Sequence, residues 1–524
     1  MKRLFLLSTL WCCALITFAS TYYLDPVNGD LTNNGSSSSP WPSLEEVISN
    51  KMISSYQYSL PYNDQSTLLP KNVDAPIKGG DTLILLDGLH GSIFLQNYHN
   101  DEFINLMADA ESEPILKSFH IQSGSKWRLI GLTISREPYG EYGGGYLVNL
   151  QTHGWQGPAT NIDLLNCYLY STEDSYDWTV DDWLQKVSSG INLGGDNINV
   201  DHCYIKNISF GVSCVGDSIN VRNTTVENFS GDGMRTLGRY ILIESNVIKN
   251  CYDIDENHDD GIQSFNLGTY DTRDITIRNN IILNYEDPNQ PLLGPLQGIG
   301  CFDGPFHNWV IENNIVSVNH WHGISLYGAF DCVIRNNTVI DPTPEETPGS
   351  SWIRINPHKD GTESENNIVA NNLTNKLALS GSTSSGNIIV NSSDEYPEYF
   401  EEYETYNFRL IPGSPAIDAA VDSLASTFDI LDIPRPQGLH SDVGAYEFIF
   451  TEVEELISEQ LEVYPNPTMD WVYFKKPVSK VRLLLSNGQL IQLPLINNGV
   501  NMSNLPSGIY YLQADGEWVK VFKI

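Results

Sequence analysis

IRNNII at residues 277–282, IENNIV at 311–316 and IRNNTV at 334–339 are one phrase written three times: a hydrophobic residue, a polar one, an Asn, then another short apolar strand. Outward from there the phrase returns as VDHCYI (200–205), VRNTTV (221–226) and IESNVI (243–248). The marked positions 202, 223, 279, 313 and 336 differ by 21, 56, 34 and 23, and Ser245 falls in register inside the longest interval. Coils of roughly 22 residues, some carrying an insertion of about a dozen, account for every step. A second column leads the phrases: Gly190-Ile191, Gly211-Val212, Gly233-Met234, Gly261-Ile262, Gly298-Ile299 and Gly323-Ile324. Two short strands per period and a turn Asn at one corner predict a solenoid, whose coils bury their apolar faces only by stacking. Val and Ile then fill the interior in file, and a ladder of the turn Asn residues satisfies local backbone groups.

This pattern resembles the right-handed parallel β-helix superfamily of carbohydrate-active enzymes over most of the chain. The resemblance speaks to fold before activity. The predicted fold class is all-β: a right-handed parallel β-helix (solenoid) over residues 21–450, followed by a small antiparallel β-sandwich at 461–524. Between them, residues 451–460 form a short acidic linker.

Residues 1–20 have a Lys-Arg start, the apolar run LFLLSTLWCCALITF and a small-residue end, the layout of a secretory signal peptide. No other stretch is long and apolar enough to span a bilayer. The formal net charge of −36 argues against nucleic acid as a partner and suits a protein facing salty water. Six cysteines follow residue 20; Cys167 and Cys203 share one register and Cys214 and Cys301 another, which predicts stacked buried thiols, with disulfides permitted by a secreted location. A monomer is expected.

In chain order, YYLDPVNGD and a candidate helix from Pro42 begin the domain, the helix covering the open end of the solenoid. Insertions interrupt the repeat at 137–145, 170–186, 252–260, 267–274, 285–296 and 341–350. The second carries Trp178 and Trp183, candidate sugar platforms because a pyranose offers an apolar face to a ring. NFRLIPGSPAIDAA, FDILDIPRP and SDVGAYEF, within 397–448, predict the last turns and a cap, with structural roles for Asp418, Asp442 and Glu447. The end of the chain alternates polar and apolar residues between turns at Asn487-Gly488 and Ser507-Gly508. With Tyr464-Pro465-Asn466-Pro467 and Gly508-Ile509-Tyr510, it resembles the C-terminal sorting domain of the type IX secretion system of Bacteroidota. That resemblance implies secretion or cell-surface display, with the secretion machinery as a partner.

In a parallel stack, one coil of sequence becomes one molecular contact of about 5 Å. Aligning the Gly-Ile column gives outward residues Asn192, Ser213, Arg235, Gln263, Ser325 and Arg354, and pre-glycine residues Asp232, Asp260, Gln297 and His322. SGDGMR (230–235), NHDDGIQSF (257–265), NHWHGISLYG (319–328) and SWIRINPHK (351–359) hold the densest set of acids, histidines and arginines. Stacked acids raise one another's pKa, which suits a general acid.

These phrases resemble the polygalacturonase-like glycoside hydrolases. Asp232 matches the first acid of that family, Asp259 and Asp260 its Asp pair, His322-Gly323-Ile324-Ser325 its Gly-His-Gly phrase, and Arg354-Ile355 its Arg-Ile-Lys phrase. The chain departs from it by an extra coil containing GIGCFDGP, by Trp321 for glycine and by Asn356 for lysine. The resemblance implies catalysis by Asp260 and Asp232, with Asp259 and His322 beside them. Arg235, His258, Gln263, Asp303, His307, His320, Trp321, Arg354, His358 and Lys359 are the remaining substrate-binding candidates. The expected activity is endo-hydrolysis of an anionic algal polysaccharide such as a sulfated fucan or carrageenan, with no cofactor required. Two alternatives stand beside it: β-elimination from a uronic-acid polymer such as alginate or pectate, with Ca2+ held by Asp255, Asp259 and Asp260, and a non-catalytic glycan-binding solenoid.

Overall fold

The computed structural model describes residues 19–268, 271–449, 461–484, 490–506 and 508–523. Residues 1–18 of the predicted signal peptide, the linker at 451–460 and the Asn487-Gly488 turn lie outside them. The chain divides at Phe448/Ile449 into two units.

In the first unit, strands of successive coils pair in parallel into one continuous sheet system. Each coil contributes three short strands rather than the predicted two: Ser189–Gly194, Asp196–Asp201 and Tyr204–Ile208 make one complete turn. They build three faces, termed here the groove sheet, the second sheet and the third sheet. The extra strand is the hydrophobic–polar pair before each marked residue, as in Thr276–Arg278 and Val310–Glu312. Two or three residues suffice because each pairs on both sides with a neighbouring coil.

The marked residues His202, Asn223, Ser245, Asn279, Asn313 and Asn336 all adopt φ between 48° and 58°, the left-handed conformation that Asn tolerates best after Gly. They turn the corner, but from Ser245 onward the predicted ladder belongs to the residue after the turn. Asn246, Asn280, Asn314, Asn337 and Asn372 are fully buried, and each side-chain amide donates to the Oδ1 of the next at 2.9 Å. The same amides cap backbone carbonyls of the preceding coil, such as Ile277 O at 2.9 Å from Asn314. A buried amide is tolerable only when so bonded, which fixes coil register.

Inward Val, Ile, Leu and Met stack in one core, with Cys167, Cys203, Cys214 and Cys301 among them as free thiols. The helix Leu44–Ser49, N-capped by Ser43, buries Leu44 and Val47 against the first coils. The 397–448 segment packs Phe400, Phe408 and Val443 with Tyr396 and with Ile315, Ile340 and Leu373 of the coils in a second apolar cluster. It also runs along the marked corner across several coils: Asn313 Nδ2 donates to Phe428 O at 2.8 Å and Asn336 Nδ2 to Asp442 O at 3.1 Å. Asp442 and Glu447 serve this clamp, Glu447 pairing at 2.7 Å with the buried guanidinium of Arg435.

In the second unit, a three-stranded and a four-stranded antiparallel sheet enclose one core around Val472, Leu483 and Leu512. Asn466 of the Tyr-Pro-Asn-Pro phrase bonds Lys520 O and Phe522 N, both at 2.8 Å, and so ties that phrase to the last strand.

Candidate active site

On the groove sheet, outward side chains follow the register Asn149, Asn192, Ser213, Arg235, Gln263, Gly300, Ser325, Arg354. Gly300, which the sequence alignment of columns passed over, occupies the coil between Gln263 and Ser325. Its φ is not left-handed, yet a Cβ there would lie 1.9 Å from Asp260 Oδ1 and 2.9 Å from Phe302 Cε2. The residue is small because those two side chains fill its space.

Asp232 and Asp260 sit on adjacent coils, each almost fully buried. Asp232 Oδ2 accepts Arg235 Nε at 2.5 Å, and its Oδ1 accepts the Asp260 backbone N–H at 3.2 Å. Asp260 Oδ2 accepts Gln263 Nε2 at 3.0 Å, while its Oδ1 is buried with no donor. Burial raises both carboxyls. At Asp232 the Arg235 guanidinium works against that shift. At Asp260 burial and the Asp232 charge push the value well above the ordinary range. A proton on Asp260 Oδ1 turns a buried orphan acceptor into a donor. Asp259 is raised to about 7, mainly by burial; Cys251 Sγ approaches its Oδ2 at 3.4 Å, and its Oδ1 is also without a donor.

Two coils beyond Asp260, His322 stands within an aromatic cluster. Its Nδ1 accepts Trp352 Nε1 at 3.3 Å and lies 2.8 Å from Ser325 Oγ, so the neutral ring carries its proton on Nε2. Phe302 meets it edge-on at 4.8 Å and His320 stacks at 5.2 Å. Burial lowers His322 to about 3, aided by His320, Arg354 and the exposed His258, and lowers His320 to about 4, aided by His258. Both rings are therefore neutral across ordinary pH. Trp321, 43 % exposed, lies parallel to Trp352 at 6.0 Å and 13°. Arg354 projects between Trp352 and Tyr327, at 4.6 and 5.6 Å, with Nε buried and unpartnered and no carboxylate paired to it among the described residues.

The fold thus gathers Asp232, Arg235, His258, Asp259, Asp260, Gln263, His320, Trp321, His322 and Arg354 along five successive coils. Other candidates fall elsewhere. Asp303 and Lys359 pair with each other at 2.9 Å, both exposed, and His358 pairs with Asp360 at 2.9 Å. His307 lies in a separate three-stranded side sheet, stacked on Phe330 at 5.0 Å, away from the groove column. Trp183 is fully buried against Tyr252 at 4.7 Å, so it cannot meet a sugar. It is the core of its own insertion, where Trp178 packs edge-on at 5.3 Å. The residues missed from sequence are Gly300, Phe302, Tyr327 and Trp352. The same column alignment reaches Gly300 through the GIG of 298–300 and Trp352 through the residue two before Arg354.

Among the described residues, no group of three or more His, Cys, Asp or Glu has a metal-binding arrangement. No helix among them is long and apolar enough to cross a membrane.

Residues 189–394 match the family described as the right-handed beta helix region, and residues 462–523 match the secretion system C-terminal sorting domain. No curated protein matches the chain. Among solved structures it is similar to pectate lyase Pel9A (13 % identity over 82 % of this chain and 97 % of that one, TM-score 0.41). It is also similar to XylC in complex with xylose (9 %, 82 % and 98 %, 0.46). A third is the GH136 lacto-N-biosidase from Eubacterium ramulus (14 %, 71 % and 68 %, 0.35).

Proposed function

We propose that the chain is a secreted glycoside hydrolase, endo-acting on an anionic polysaccharide of the sulfated algal type, with Asp260 as general acid and Asp232 as the carboxylate that activates water or attacks carbon. The observation that carries this is the unequal bonding of two carboxyls on successive coils. Asp232 accepts a guanidinium N–H at 2.5 Å, whereas Asp260 bonds only a neutral amide and keeps one buried oxygen without a donor. Such a pair divides the two tasks of glycoside cleavage, one group giving a proton and the other staying charged. Arg235 and Gln263 are the partly exposed side chains bonded to the acids. Arg235 stays on Asp232 and keeps it charged, while substrate displaces Gln263 from Asp260 Oδ2; the proton then resides on Oδ2, and the glycosidic oxygen that takes the place of Gln263 Nε2 receives it.

Charge selection falls to Arg354. Arg235 is engaged by Asp232 and Lys359 by Asp303, so Arg354 is the guanidinium of this groove left to bond a sulfate or carboxylate. The parallel Trp321–Trp352 pair beside it offers rings to a pyranose. β-Elimination is less well supported, because the cations that could serve as its base are engaged, Arg235 with Asp232, Lys249 with Glu286 and Lys359 with Asp303, and His320 and His322 at about 4 and 3 are weak bases.

The test incubates the purified protein with fucoidan, carrageenans, alginate, pectate and ulvan, reading reducing ends and the ultraviolet absorbance of unsaturated ends together. New reducing ends without absorbance, lost in Asp260→Asn, are expected. Equal growth of both signals means elimination and overturns the hydrolase.

A further inference from the structure

A second polar surface lies on the second sheet, away from the groove. Its outward column runs Arg128, Asp163, Asn199, Asn220 on successive coils. Arg128 Nε and Nη2 donate to Asp163 Oδ2 at 2.8 and 2.7 Å, Asn199 Nδ2 to Asp163 Oδ1 at 2.9 Å, and Asn220 Nδ2 to Asn199 Oδ1 at 2.8 Å. The ladder stops there, because Leu242 holds the next place. Asp163, Asn199 and Asn220 floor a cleft of about 310 Å3, with Phe103 and Tyr240 in its lining. A second hollow of about 290 Å3 lies between this column and the next one along the strands, which carries Asp201 and Arg222.

Unlike the buried Asn ladder of the core, this one is partly open to solvent. Each amide spends one N–H on its neighbour and keeps a second, and among the described residues Asn220 Oδ1 receives no hydrogen bond. The column therefore presents a donor or acceptor on each coil, every 5 Å or so, a repeat close to one sugar residue in an extended chain. Tyr240 is 57 % exposed and has its ring free to stack.

Charge decides the ligand. Arg128 cancels Asp163 within the floor. Beside the column, Asp196 and Asp217 accept the backbone N–H groups of Asp217 and Arg239, each at 2.9 Å, and leave carboxylates facing outward in a chain of net charge −36. That surroundings repels anions and accepts hydroxyls, whose paired donor and acceptor character matches an amide.

We infer that this face is a second, non-catalytic glycan-binding site for an uncharged, hydroxyl-rich stretch of polysaccharide, separate from the groove and independent of what the groove cleaves.

The test is affinity electrophoresis of the full chain in native gels cast with xylan, mixed-linkage β-glucan or galactomannan, and with alginate and carrageenan for comparison. Retardation by at least one neutral polymer is expected. Tyr240→Ala and, separately, Asn199→Ala with Asn220→Ala should each weaken it about tenfold, with unchanged thermal melting. Asp260→Asn and Arg354→Ala should leave it intact, which separates this face from the groove. Passage through every neutral gel without retardation overturns the inference. So does retardation that survives both face variants, or retardation lost on substituting Arg354.

Discussion

Replacing Gly300 by alanine isolates the part given to Asp260, because it alters neither acid chemically. The backbone there needs no glycine conformation, so the change acts through its methyl group alone. That carbon would stand 1.9 Å from Asp260 Oδ1, and contacts under 3.0 Å essentially never occur, so the carboxyl must retreat by more than 1 Å or Gly300 must shift by as much. A misplacement of about 1 Å at a reacting group costs on the order of 100-fold in rate. The accompanying overpacking costs about 1–3 kcal/mol of stability, which a long solenoid absorbs. The assay is steady-state release of reducing ends from the polymer identified above, with thermal melting on the same samples and Asn192→Ala, four coils back along the column, as control. The expected result is kcat lowered about 100-fold with KM little changed and the fold intact. A folded Gly300→Ala protein with full kcat would refute the placement of Asp260 at the reacting bond.

Three further outcomes follow from the same geometry. Asp259 has its folded pKa raised from 3.8 to about 7, so its contribution to stability is present below the ordinary carboxyl value and is lost as pH rises through about 7; Asp259→Asn should flatten that part of the melting temperature–pH curve, and an unchanged curve counts against a buried acid there. Asn314→Ala removes two donated bonds at 2.9 Å and the acceptor of two more at 3.0 and 2.9 Å; at about 1 kcal/mol each the loss is about 4 kcal/mol, and urea unfolding that finds less than 1 kcal/mol would show the ladder to be incidental. Arg354→Ala should raise KM on sulfated or uronate polymers at least tenfold, the scale of a charged hydrogen bond, and equal KM values for both proteins would remove Arg354 from charge selection.

The solenoid was legible because its constraints repeat. Each coil must turn at the same corner, and only a few residue types accept φ near 55° there, so His202, Asn223 and Asn279 announce the period. The Gly-Ile column likewise places outward side chains correctly from Asn192 to Arg354, since parallel pairing leaves register no freedom once the corners are set. What escaped was which Asn of each doublet does which work. Composition cannot separate the Asn that turns from the Asn that is buried next to it, because only the direction of the side chain distinguishes them. The third strand escaped for a related reason: a two- or three-residue strand such as Val310–Glu312 has no periodicity of its own and exists through its neighbours.

The site was legible only where it obeyed the columns. Trp183 was misread because an insertion is free of the repeat and builds a small core from its own aromatics, so its most conspicuous ring is the one most deeply covered. The decisive features are of another kind. Asp259 Oδ1, Asp260 Oδ1 and Gln297 Oε1 are buried acceptors without donors, and Asp260 and Gln297 are register partners on adjacent coils. Each such atom costs about 1–3 kcal/mol. The same chain satisfies amide after amide of its Asn ladder with bonds of 2.9 Å, so it does not lack the means to pair buried polar groups. Leaving three acceptors unmet together, beside a glycine that makes room for one of them and for Phe302, is a cost borne in the groove sheet without a structural return. In the proposed mechanism, a proton on Asp260 delivered to substrate in each turnover gives that cost a use.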